Sequence, residues 1–74
     1  MEVNIKFNYQ PNTTIHLYGV TEEVYIKADI THSYGFYWDG DKRKENVAHR
    51  SIEIKTQNIA YARRKAIKYF RANF

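Results

Sequence analysis

Apolar and polar residues alternate without a break from Val3 to Tyr9, with Val3, Ile5, Phe7 and Tyr9 against Asn4, Lys6 and Asn8. A period of two means a strand with one buried side, placed at residues 3–9. Gln10-Pro11-Asn12 ends it, since proline removes a ladder donor and asparagine suits a turn. A second strand is expected over 13–18, with Ile15 and Leu17 inward and His16 and Tyr18 outward. A third, over 23–31, sets Val24, Ile26, Ala28 and Ile30 against Tyr25, Lys27 and Asp29. A fourth, over 33–38, sets Tyr34, Phe36 and Trp38 against Gly35 and Tyr37. Asp39-Gly40 then opens a long polar hairpin tip through Asn46, and the chain returns over 47–55 with Ala48, Ile52 and Ile54 as the apolar set.

From Ile59 the spacing turns helical. Ile59, Ala62, Ala66, Ile67, Phe70 and Phe74 form one stripe at 100° per residue, and Arg64, Lys65, Lys68 and Arg71 fall opposite with Tyr61 among them. The helix is expected over 58–72, capped by Thr56 or Asn58. Arg63 lies at the edge of the stripe, where its stem packs and its head reaches water, or pairs with Glu53 or Asp29. The pattern describes a single α+β domain over 1–74: a four- or five-stranded antiparallel meander with one C-terminal amphipathic helix packed on one face. The covered face is expected to hold Ile5, Phe7, Ile15, Leu17, Val24, Ile26, Phe36, Trp38, Ile52 and Ile54. The open face is expected to carry Lys6, His16, Tyr18, Tyr25, Lys27, Tyr37 and His49.

A chain of 74 residues buries only about 60% of its unfolded surface. It has no cysteine, so neither disulfides nor a cysteine-ligated zinc reinforces it. Twelve aromatic residues are the available substitute. No run approaches the ~20 apolar residues of a membrane span, and Met1 leads directly into strand-like sequence, so no membrane, no signal peptide and a cytoplasmic location are expected. The net charge of +4 and pI near 9.4 favour an anionic partner, of which nucleic acid is the commonest. Abundant Ile, Asn, Lys and Tyr suggest an AT-rich genome such as that of a phage or mobile element.

Aromatic rings stack on bases at about 1–3 kcal/mol each while neighbouring cations hold phosphates. On the open face Lys6, Tyr18, Tyr25, Lys27 and Tyr37 are the candidates for that work. Arg64, Lys68 and Arg71 make a row suited to a phosphate backbone, and Lys42 and Arg43 sit at the hairpin tip among Asp39, Asp41 and Glu45. Tyrosine also fits an ordinary pleated surface, a protein interface or a homodimer contact. His16, His32 and His49, with Asp29, Glu53 and Arg50 as conceivable partners, show no spacing that fixes a catalytic geometry. Asp39-Gly40-Asp41 lacks the further oxygen ligands of a calcium loop, and no phosphate-binding glycine loop is present. The expectation is a non-enzyme without metal or cofactor.

Tyr18-Gly19-Val20, and Ile54-Lys55-Thr56 followed by Ala62 and Ala66, resemble the opening and the final strand, cap and helix of small DNA-binding domains of the AP2 and integrase arm-binding type. The resemblance covers about residues 18–70. It implies that the sheet face away from the helix docks in a DNA groove, with Tyr25, Lys27 and Tyr37 in contact. Residues 1–12 have no counterpart there, Thr31–Ala48 is longer than the usual hairpin, and the arginines and tryptophans of the reading strands are missing. The reading is a small basic nucleic-acid-binding accessory protein, acting on DNA or RNA. The alternative is a non-enzymatic interaction module, such as a phage-encoded inhibitor of a host enzyme, whose partner is that host protein and which works through the same tyrosine-rich face.

Overall fold

The computed structural model describes residues 3–19 and 25–74. Strands form where the alternation runs: β1 (Asn4–Gln10), β2 (Thr13–Gly19), β3 (Ile26–Asp39) and β4 (Lys42–Ile54), followed by α1 (Ile59–Asn73). They make one antiparallel meander in the order β1-β2-β3-β4 with the helix packed across one face, an α+β fold. Val20, Glu23 and Val24, on which parts of the expectation rested, lie outside the described residues.

Register is set by the apolar face. Leu17 stands between Ile5 and Ala28, and Ile15 between Phe7 and Ile30, so one side of the three strands is apolar throughout. Ile15, Leu17, Ile26, Ala28 and Ile30 are fully buried beneath Ala62, Ala66 and Phe70 of the helix, with Val3 and Ile54 at the margin. Burying each large aliphatic side chain here contributes about 1.5–3 kcal/mol. The two alanines let the helix backbone approach the central strands closely, and Phe70 closes the far end. There its ring meets the edges of Tyr9 and His32 at centroid distances of 5.8 and 5.2 Å. Thr13, buried at the same end, satisfies its hydroxyl against Nδ1 of His32 at 2.8 Å. Ile5 and Ile52, expected in the core, sit at its edges because they belong to the outer strands and the helix is centred over β2 and β3.

Asn58 is the helix cap: its side-chain oxygen accepts from the Tyr61 amide at 2.9 Å. Thr56 sets up the turn before it by accepting from the Asn58 amide at 3.0 Å. Arg63 pairs with neither Glu53 nor Asp29. Its guanidinium lies 4.5 Å from the centre of the Phe7 ring, stacked on β1.

Two expectations fail in the second half of the chain. The third and fourth predicted strands are one continuous strand, and the long polar tip is instead the paired start of β4. Asp39 faces Lys42, so only Gly40 and Asp41 make the turn, with Gly40 at φ +66°. Between Ser33, opposite Val47, and Phe36, opposite Glu45, β3 carries one extra residue. That bulge is built on Gly35 at φ +139°, a conformation closed to most side chains. It reverses the alternation beyond it. Phe36 and Trp38, expected under the helix, share a face with Ser33 and Thr31, and Tyr37, expected on the open face, turns to the helix side.

The amide of Ser33 donates to Asn12 at 2.9 Å, the last link between β3 and the turn before β2. Beyond it β3 and β4 continue alone as a two-stranded arm, roughly residues 34–47. The molecule is accordingly long, 46 × 23 × 16 Å, with a radius of gyration of 14.2 Å against about 11.3 Å for a globular chain of this length.

Candidate functional site

The structure divides the sequence-predicted contact residues among three surfaces. On the open sheet face stand Lys6, Tyr18 and Lys27, in rows set by the register: Asn4, Tyr18, Lys27 and Glu53 in one, Lys6, His16, Asp29 and Ser51 in the next. Tyr25 is half-buried just before β3. This face is polar and internally bonded. Both Tyr18 and Ser51 donate hydroxyl protons to Oδ1 of Asp29, and His16 bonds to the side chain of Asn4 while its ring leans on Tyr18 at 5.2 Å. Partial burial, followed by the charge and hydrogen bond of Asp29, raises the Tyr18 phenol above its usual 10.0. In this part of the face Asp29 and Glu53 interleave with the cations, and the Tyr18 ring is already engaged by His16. Among the described residues no three His, Asp or Glu side chains converge on a metal position.

The second surface is the outer side of α1. Ile59–Asn73 holds five cations and no carboxylate, whereas the other 59 residues hold seven cations and eight carboxylates. The excess charge of the whole chain therefore resides on one element. Arg64, Lys68 and Arg71 point away from the sheet, exposed, in a row about 10 Å long at 1.5 Å per residue. Among the described residues the one salt bridge is Lys44 to Asp39 at 3.1 Å, so none of their carboxylates pairs with this row. Beside it, between α1 and the edge strand β4, runs a groove of about 490 Å³ lined by Ile52, Ile54 and Tyr69 and by the charged residues Glu53, Lys55, Lys65 and Lys68. Periodicity reveals the row in the sequence. The groove is invisible there because it depends on how far the helix lies from the sheet edge.

The third surface is the arm. Tyr34, Phe36 and Trp38 are 62%, 57% and 71% exposed, and Val47 is also open to solvent. Arg43 stands opposite Trp38 and stacks on Phe36 at 3.9 Å. Lys42, Lys44 and Tyr37 fall on the other side of the ribbon by register. Sequence reasoning placed two of these aromatic residues in the core, and the one signal that could have exposed the error was Gly35 in the middle of a strand pattern.

No family model matches the chain, and neither characterised proteins nor solved structures yield a significant match.

Proposed function

We propose that the protein binds nucleic acid, DNA or RNA, through phosphate contacts from the outer face of α1. One observation carries this reading: the cations of Arg64, Lys68 and Arg71 form a row without carboxylates on an element holding all the chain's excess charge. A row of about 10 Å spans roughly three axial rises of 3.4 Å, the reach of about four successive phosphates of one strand. Lys65 widens the row towards the groove, and Arg71 carries it to the end of the helix nearest the arm. The late cations also suit the negative pole of the helix dipole, which holds the last turn together when no ligand is bound. Base identity plays little part in such contacts, so binding is sequence-tolerant.

The test is fluorescence anisotropy of labelled single- and double-stranded oligonucleotides across a salt series. Arg64→Ala and Lys68→Ala should each reduce the slope of log K against log salt by about 0.7–0.9. Lys6→Ala and Lys27→Ala, on the open face, should leave that slope unchanged. Equal losses from both faces would assign binding to overall charge rather than to the helix, and an affinity indifferent to Arg64, Lys68 and Arg71 together would sink the proposal.

A further inference from the structure

Among the described residues no third layer and no third strand covers the arm formed by β3 and β4 beyond Ser33, although an isolated two-stranded ribbon is marginal in water. Its exposed side is nonetheless apolar: Phe36, Trp38 and Val47 line one face, and Arg43 and Glu45 lie beside them on the same face by register. Between Asp39 and Glu45 three carboxylates interleave with three cations, so the arm is electrically neutral while the helix is strongly basic. A neutral face with one cation and one carboxylate side by side on β4, next to the aromatic pair of β3, can be complementary to itself. Turned about a two-fold axis, it sets each arginine against the partner's glutamate and aromatic ring against aromatic ring. The surface area agrees with such use. The chain exposes 5485 Å², against roughly 4800 Å² for a globular monomer of 8.9 kDa. The excess approaches the ~800 Å² that each partner contributes to a standard interface.

We propose that the arm is a self-association element: two copies of the chain pack their Phe36 and Trp38 faces together about a two-fold axis, with Arg43 of each opposite the partner's Glu45. Aromatic residues and arginine are the residue types that dominate such contacts, and the Arg43–Phe36 stack presents both as one preformed unit. The dimer leaves both helices uncovered at its outer ends. Self-association is thus separable from the nucleic-acid reading, and either can fail without the other.

Trp38 is the one tryptophan of the chain and lies at the centre of the proposed contact, so its emission reports the event directly. Sedimentation velocity and tryptophan emission should be followed together over a dilution series of the purified chain, free of nucleic acid. The expected result is a dimer whose dissociation shifts Trp38 emission to the red. Phe36→Ser should weaken association by ~10-fold or more. Arg43→Glu and Glu45→Arg should each weaken it, and the two reversals combined should restore it. Because the arm lies outside the helix-covered core, far-ultraviolet circular dichroism should show the same fold in every variant. If Phe36→Ser disturbs that spectrum, the charge-reversal pair decides alone. A chain that remains monomeric at ~100 μM overturns the proposal, as do a dimer indifferent to these changes and an arm that retains a different protein while staying monomeric.

Discussion

The Arg43 guanidinium lies 3.9 Å from the centre of the Phe36 ring, although Phe36 faces Glu45 across the ladder and Arg43 faces Trp38. The contact is diagonal, and it exists because the bulge at Gly35 turned Phe36 onto the face that Arg43 occupies. Gly35→Ala forces a side chain into a φ of +139° and should cost about 1–3 kcal/mol. No atom lies within 4 Å of the new methyl group, so the loss would be backbone strain alone. A urea titration should show the lowered midpoint.

Ala66 is fully buried between the helix and the central strands. Ala66→Asp would place a carboxylate there with no cationic partner and should cost several kcal/mol. A thermal melt followed by circular dichroism should fall sharply, and an unchanged melt would refute the packing of this helix face.

The cap is a smaller, separate test. Asn58→Ala leaves the Tyr61 amide without its acceptor and should lower stability by about 0.5–2 kcal/mol. Asn58→Asp, which keeps the oxygen and adds charge at the positive end of the helix dipole, should restore most of the loss.

Tyr18 predicts an alkaline effect of definite sign. Its phenol is raised above 10.0 by burial first and by Asp29 second, so the fold favours the neutral form. The associated stability is complete below pH 10.0, the value for an unfolded phenol, and is lost as pH rises through the higher folded value. Wild-type stability should therefore fall more steeply above pH 10 than that of Tyr18→Phe. Asp29→Asn should lower the Tyr18 titration without abolishing the shift, because the burial remains. The difference in phenolate absorbance between wild type and Tyr18→Phe across pH isolates this one group among seven tyrosines.

The strands of the helix-covered half were legible because period-two alternation and burial agree there: Ile15, Leu17, Ile26, Ala28 and Ile30 are buried as the pattern requires. The helix was legible for the same reason, with Ala62, Ala66 and Phe70 inward and Arg64, Lys68 and Arg71 outward. The pattern misled beyond Ser33, where Tyr34, Phe36 and Trp38 alternate as a core strand would. Hydrophobicity records what a residue would gain by burial, not whether any element is present to bury it, and no helix reaches that far. One inserted glycine then exchanged the two faces, which no count of apolar residues can register. The cationic row survived because it depends only on helical spacing. The tyrosine face did not, because Tyr37 depended on a strand phase that the bulge changed.

With five cations and no carboxylate on the helix, the molecule carries much of its positive charge off-centre, on one element. In the field of a polyanion it experiences a torque before it experiences contact, and it arrives with α1 leading rather than at random. Its capture rate is thus governed by where the charges sit as much as by their sum. A variant with the same net charge, but with two helix cations exchanged for uncharged residues on the sheet, would drift towards the same target and meet it facing the wrong way.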